Sequence, residues 1–96
     1  MFAIRYHERD TTSAESYYLD RLYGEGDRPL TMAYYLWLLK CGDEVRLVDT
    51  GYASATSERR GRGPLVPGVP AALASTGIDP AAVSQVFLTH LHHDHI

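Results

Sequence analysis

The sequence predicts a mixed α/β fold of the α+β type, because strand-like and helix-like segments alternate within one short chain. Apolar or aromatic runs at 2–6, 32–39 and 45–48 have the length and composition of β-strands. Small-residue segments that follow Pro70 and Asp79 carry the start signals of short helices. With 96 residues, the chain is expected to form a single domain with no room for a second.

The first half of the chain is predicted to be mostly β-structure. Residues 2–6 alternate in polarity, as a first strand would, and residues 9–16 are polar enough for a loop. Residues 17–23 are ambiguous, because their leucines suit a helical face whereas their tyrosines favour a strand. Residues 32–39 are almost continuously apolar, which is typical of a strand covered on both faces.

A hairpin and a long connection follow. Residues 41–44 can form the turn that leads into the strand at 45–48. Residues 51–68 are rich in small residues, Gly and Pro, and we expect a long loop there.

Two short helical turns and a last strand are predicted in the second half. Pro70 suits the first turn of a helix through Ala74 that ends by Gly77. Asp79 followed by Pro80 is a cap and first-turn pair for a further helical turn. Residues 86–88 form an apolar run that would be a buried strand.

The run after this strand, residues 89–95, carries the clearest functional signal and is called the histidine loop below. It holds four of the five histidines, interleaved with Asp94. Imidazole nitrogens and carboxylate oxygens are the ligands that zinc and similar metals prefer. In an extended or looped segment His90 and His92 project to the same side, whereas Asp94 and His95 point apart. The spacing therefore predicts two ligand pairs for two neighbouring metal positions.

The spacing H-x-H-x-D-H resembles the metal-binding signature of the metallo-β-lactamase superfamily, hydrolases with two metals at the edge of an αββα sandwich. The apolar strand before it and the strand ending in Asp49-Thr50-Gly51 resemble the family's other early landmarks. The order of segments is similar to that of the N-acyl homoserine lactonase-like branch. The resemblance covers nearly the whole chain and implies that residues 1–96 are the N-terminal half of a sandwich, cut just after the motif.

The resemblance also implies roles for individual side chains. His90 and His92 would hold one divalent metal and Asp94 and His95 a second, with zinc as the first choice and manganese or iron as alternatives. Asp94 would also be catalytic, because it would orient the nucleophile or pass a proton to the leaving oxygen. Asp49 would brace the histidine loop without binding metal. The remaining ligands would lie further along the chain.

The implied activity is hydrolysis of a small-molecule ester or lactone, as in a quorum-quenching lactonase. Two metals can lower the pKa of a water and supply hydroxide at neutral pH. Alternatives are a glyoxalase-II-like thioesterase, another hydrolase of this fold such as an RNA-processing nuclease, or a non-catalytic metal-binding member. We expect the 96 residues alone to be poorly stable and inactive.

Composition narrows the partners and the compartment. A net charge of −3, with basic residues clustered only at 59–62, does not favour nucleic acid as a partner. Cys41 is the only cysteine, which excludes an intrachain disulfide and suits a reducing cytoplasm. Residues 1–7 lack the long apolar core that a secretory signal would have, and the apolar run at 32–39 is far shorter than the roughly 20 residues of a membrane span. We expect a cytoplasmic enzyme, with its exact substrate, metal identity and oligomeric state left open.

Several conspicuous residues have ordinary structural interpretations. His93 occupies the variable position of the motif and is expected to face outward or pack beside the site. His7 is an isolated histidine that receives no role. Trp37 and the tyrosines are expected to pack in the core or on a sheet face. Cys41 is expected to be buried or at the edge of a turn.

Overall fold

The computed structural model describes residues 1–14, 16–17 and 26–96. Four strands form one sheet in the order of the sequence: β1 (Phe2–Thr11), β2 (Leu30–Cys41), β3 (Glu44–Val48) and β4 (Val83–Phe87). Between β3 and β4 lie three short helical segments: α1 (Ser54–Arg59), α2 (Val69–Ala74) and a 3₁₀ turn (Pro80–Ala82). This arrangement confirms the predicted mixed α/β class.

A β-bulge in β1 determines which side chains enter the core. β1 pairs antiparallel with β2, and the register shifts between Arg5, opposite Tyr35, and His7, opposite Tyr34. Side chains normally alternate between the two faces of a strand, but the extra residue in a bulge breaks that alternation. Tyr6 and His7 are consequently both buried although they are consecutive in the sequence.

The connections explain why two strand ends meet at the site. β2 and β3 form a hairpin in which Cys41 pairs with Glu44, and Gly42 takes the left-handed φ of +59° that the tight turn requires. β3 and β4 pair in parallel, so the chain must cross over between them, and the helical segments provide that crossover. The carboxyl ends of β3 and β4 therefore lie side by side at one edge of the sheet.

The core lies on one face of the sheet. Its buried side chains come from the sheet, from the loop after β3 and from α2; they are Ile4, Tyr6, Tyr34, Leu36, Leu38, Val45, Leu47, Tyr52, Leu65, Ala72 and Leu73. On the opposite face of β2, Tyr35 and Trp37 are exposed by 43% and 40%. The prediction that β2 is covered on both faces is therefore wrong for this chain, because no described element packs over the outer face.

Other element boundaries differ from the predicted ones for reasons of pairing. β1 continues through Thr11, opposite Leu30, so the predicted loop at 9–16 begins too early. The predicted loop at 51–68 contains α1, which no polar side chain caps. The ambiguous segment at 17–23 lies outside the described residues, apart from Tyr17 in a turn.

The helical predictions at 70–74 and after Asp79 are confirmed. α2 carries Pro70 in its first turn, and the Asp79 carboxylate accepts a hydrogen bond from the Ala81 amide at 2.9 Å. β4 begins at Val83, earlier than predicted, because Val83 already pairs with β3. The predicted burial of this strand is wrong for this chain, since Val86 and Phe87 are exposed by 49% and 48%. Within the described part of the chain, no helix is long and apolar enough to cross a membrane.

Candidate metal-binding site

The site forms where β3 and β4 end. Asp49 directly follows β3, and its amide donates a hydrogen bond to the Phe87 carbonyl at the end of β4, at 2.7 Å. Asp49 has a left-handed φ of +62°, a conformation that aspartate tolerates better than most residues. This conformation redirects the chain at the strand end and places the Asp49 carboxylate beneath the histidine loop.

The Asp49 carboxylate is buried and accepts hydrogen bonds at both oxygens. The amide of Thr89 donates to Oδ1 at 2.8 Å, the hydroxyl of Thr89 lies 2.9 Å from each oxygen, and Nδ1 of His95 lies 2.8 Å from Oδ2. Burial by itself would raise the pKa of Asp49, but the hydrogen bonds from His95 and Thr89 outweigh it and hold the pKa below its ordinary value. The carboxylate is therefore ionised and can only accept.

This acceptor fixes the tautomers of two histidines. Because ionised Asp49 cannot donate, the Nδ1 of His95 must carry the proton in their hydrogen bond. The Thr89 hydroxyl proton is directed to Asp49 in the same way, so its oxygen accepts from Nδ1 of His90 at 2.9 Å. In the neutral form of each ring, these hydrogen bonds leave Nε2 as the nitrogen with a free lone pair that could bind a metal.

The predicted ligands lie next to one another in the histidine loop. The ring centroid of His90 is 4.6 Å from that of His92 and 4.0 Å from that of His95. Oδ2 of Asp94 is 3.8 Å from Nε2 of His95. No group of three or more His, Cys, Asp or Glu side chains within the described ranges is already arranged to hold a metal ion. The donor chemistry fits a divalent metal, and the ligand roles stay predictions.

The backbone of the histidine loop is anchored to the sheet. The buried hydroxyl of Tyr6 donates to the Asp94 carbonyl at 3.1 Å, and the Thr50 amide donates to the His95 carbonyl at 3.1 Å. A turn closed by the bond from the His95 amide to the His92 carbonyl, at 2.9 Å, shapes the end of the loop. These bonds hold the loop in place through contacts that do not use the predicted ligand atoms.

His93 faces a different group of residues. Its Nε2 lies 3.0 Å from Nη1 of Arg62, and its ring centroid lies 5.7 Å from that of Tyr52. A guanidinium only donates, so this Nε2 accepts and Nδ1 carries the proton. Burial, followed by the charge of Arg60, lowers the pKa of His93. His93 packs beside the site, with its Nε2 already engaged.

Sequence reasoning assigned no role in the site to Thr89 or Arg62. Thr89 is adjacent to the motif, and a hydroxyl between a strand end and the first histidine was the available signal. Nothing in the sequence links Arg62 to the loop, because the contact spans 31 residues and depends on the path of the connection after β3.

Two cavities adjoin the histidine loop. One, of about 160 Å³, lies between the strands β1 and β2 and the loop residues Asp94 and His95. The other, of about 400 Å³, has mainly apolar walls; it is lined by Thr50, Gly51, Tyr52, Ala53, Ser54, Leu65, Val69, Pro70 and Ile96. The smaller cavity is lined by two predicted ligands, Asp94 and His95, whereas the larger one reaches only Ile96, the residue after the histidine loop.

Comparisons with known proteins agree with this architecture. Residues 29–96 match the sequence model of the Metallo-beta-lactamase superfamily. The crystal structure of hydrolase AbOPH in the beta lactamase superfamily is similar in fold, with a TM-score of 0.66 and 23% identity. The match covers 98% of this chain and 33% of that one. No curated protein matches the sequence. The family match extends over more than half of the residues of this chain, and the chain therefore belongs to the metallo-β-lactamase superfamily.

Proposed function

We propose that this chain is part of a metal-dependent hydrolase that opens a lactone or ester, with N-acyl homoserine lactones as the first substrates to test. Superfamily membership supports a hydrolase, and the structurally similar AbOPH is itself described as a hydrolase. The observation that carries the proposal is the orientation of two histidines by a buried carboxylate. Asp49 acts on His95 directly and on His90 through Thr89, which frees both Nε2 atoms.

The proposed ligand set is divided between two divalent ions. His90 and His92 would hold one ion, and Asp94 and His95 the other, with zinc favoured by the imidazole and carboxylate donors. Such ions lower the pKa of a water and polarise a carbonyl when they are bound. Asp49 braces the loop, because its hydrogen bonds fix the ring orientations before a ligand arrives.

The chain's own residues would manage the proton. Asp94 has a side chain that is 27% exposed, so its carboxylate is accessible to a substrate beside the loop. It would accept the proton of the attacking water and return it to the leaving oxygen as the ester or lactone bond breaks. The bond from Tyr6 to the Asp94 carbonyl would hold this carboxylate in position during the transfer.

The apolar cavity supports a substrate with a hydrocarbon part. Its volume of about 400 Å³ lies within the range of small-molecule sites, and Leu65, Val69 and Pro70 supply apolar walls. Thr50 connects this cavity to the loop, since its amide bonds the His95 carbonyl. An acyl chain placed there would bring its carbonyl end toward the histidines. We propose a small molecule of this kind as the partner, in a cytoplasmic enzyme.

The test uses the complete protein, an N-acyl homoserine lactone and an acyl thioester of matched chain length, each with and without EDTA. We expect chelator-sensitive lactone opening. Asp94→Asn should abolish turnover, whereas Asp43→Asn should leave it unchanged, because Asp43 is an exposed carboxylate in the hairpin turn. Cleavage of the thioester alone would show a glyoxalase-II-like activity. Metal binding without turnover of either substrate would identify a non-catalytic member of the superfamily.

A further inference from the structure

A second polar cluster lies beside the histidine loop and consists of His7, Tyr52 and Arg62; we call it the Arg62 cluster. Nη1 of Arg62 donates to Nε2 of His93 at 3.0 Å, which places the guanidinium against the loop. The Tyr52 ring centroid is 5.7 Å from that of His93 and 6.5 Å from that of His7. The cluster therefore joins β1, the residues after β3 and the connection after α1 to the histidine loop.

Two buried polar atoms of this cluster, Nε2 of His7 and the hydroxyl of Tyr52, have no hydrogen-bond partner among the described residues, and Arg62 lies close to the Tyr52 side chain. The His7 and Tyr52 residues are only 3% and 4% exposed. The amide of Val66 donates to Nδ1 of His7 at 3.4 Å, so the proton of neutral His7 resides on Nε2. His7 thus presents a buried N–H donor for which the described ranges supply no acceptor, an uncommon state in folded proteins.

The Arg62 guanidinium adds a positive charge that no carboxylate neutralises within the described part of the chain. Burial alone would lower the pKa of Arg62, but the proximity of the Tyr52 hydroxyl and of Tyr34 outweighs burial and raises it. The same charge contributes, after burial and Arg9, to the lowered pKa of His7. Arg62 therefore lies close to both buried groups, and none of the described carboxylates pairs with it.

We propose that Arg62, His7 and Tyr52 form a binding site for an oxyanion, either a carboxylate or a phosphate group. A guanidinium has five N–H donors and binds such groups with two parallel hydrogen bonds, and only Nη1 is engaged by His93. The His7 N–H and the Tyr52 hydroxyl are further donors whose buried polar atoms would gain an acceptor. An oxyanion thus supplies both the charge and the acceptors that the cluster lacks.

The anion site would also favour substrates that carry an anionic arm, an inference that rests on the proposed function. His93 lies between the predicted ligands His92 and Asp94, so an anion held by Arg62 would be next to the reacting groups. A substrate with a carboxylate or phosphate arm would then be oriented by that arm. Anion binding requires neither metal nor turnover, so anion binding and hydrolysis can be tested separately.

The experiment is a titration of the ¹⁵N-labelled complete protein without metal, followed by the ring nitrogen signals of His7. Sodium acetate and inorganic phosphate are the two probes, with sodium chloride at matched ionic strength as the control. We expect a saturable shift of the Nε2 signal of His7 with acetate or phosphate and none with chloride. The stronger of the two responses identifies the oxyanion class.

Variants locate the site. Arg62→Gln should weaken anion binding by about tenfold or more, the expected effect of losing a charge-assisted hydrogen bond. Tyr52→Phe removes only the hydroxyl and should weaken binding while the circular dichroism spectrum stays unchanged. Arg60→Gln is the matched control, because Arg60 is an exposed cation two residues away and should leave binding intact. Absence of a saturable shift with either anion, or equal weakening by Arg60→Gln, would overturn the proposal.

Discussion

Replacement of Asp49 by Asn tests the orientation of the histidine loop with little change of shape. Asn tolerates the left-handed φ of +62°, so the backbone after β3 should be retained. The amide side chain has one acceptor oxygen and one donor nitrogen, whereas the carboxylate accepts at both oxygens. The asparagine side chain that replaces it can therefore accept a hydrogen bond from only one of two donors. These are the Thr89 amide, 2.8 Å from Oδ1 in the wild type, and Nδ1 of His95, 2.8 Å from Oδ2.

The expected losses of stability and of metal affinity follow from the loss of this one hydrogen bond. A hydrogen bond to a charged group contributes about 1.5–3 kcal/mol, so Asp49→Asn should lower the free energy of unfolding by about that amount. Loss of an orienting partner of a metal-bound histidine typically weakens metal binding by about 10–100-fold. Urea unfolding and zinc titration calorimetry on the complete protein measure the two effects.

Asp79→Asn is the matched control for this substitution. Asp79 caps the 3₁₀ turn by accepting from the Ala81 amide, and Asn caps about as well as Asp, so neither quantity should change appreciably. Zinc affinity of Asp49→Asn equal to that of the wild type would refute the reasoning. So would a comparable loss in Asp79→Asn.

Four further outcomes are expected. Thr89→Val keeps the side-chain shape but removes the hydroxyl that links Asp49 to His90, and zinc titration should show weaker binding without loss of the sheet in circular dichroism. Gly51→Ala should lower the free energy of unfolding in urea by about 1–3 kcal/mol more than Gly42→Ala does. Both glycines have a positive φ, but only at Gly51 would the added Cβ crowd packed side chains, at 2.8 Å from Val69 and 2.9 Å from Tyr6. Burial and two nearby arginines lower the pKa of His7 below 6.5, so the unfolded chain binds a proton more readily than the folded one. The free energy of unfolding should therefore fall as the pH drops below 6.5. Urea unfolding at several pH values should show a weaker pH dependence for His7→Phe. The 96-residue chain alone should bind zinc weakly and leave lactones intact in the same assays, since the proposed set gives each ion two ligands and catalytic zinc sites use about three; robust chelator-sensitive turnover would contradict this.

Local sequence signals were sufficient for much of the fold. The apolar run of β2 and the turn at Gly42 specified a hairpin, because strand composition and a residue suited to positive φ act over a few positions. Asp79 likewise specified its helical turn through its own side chain. The strand before the histidines was predicted from its apolar residues, although pairing with β3 extends it back to Val83.

The remaining features depend on contacts that no local pattern records. The bulge that buries His7 arises from the register between β1 and β2, and an isolated histidine in the sequence does not reveal it. The bond from Arg62 to His93 depends on how the connection after α1 folds back over the core. Exposure of Trp37 was not predicted either, because an apolar run indicates burial without showing what covers each face.

The most direct measurement of the ligand assignment is anomalous X-ray diffraction at the zinc edge, from crystals of the complete protein grown with zinc. We expect two zinc peaks. One peak should lie at coordination distance from the Nε2 atoms of His90 and His92, and the other from the Asp94 carboxylate and Nε2 of His95. Asp49 should be hydrogen-bonded to His95 and should not bind metal. Zinc bound elsewhere, or held through the Nδ1 atoms of these histidines, would contradict the assignment.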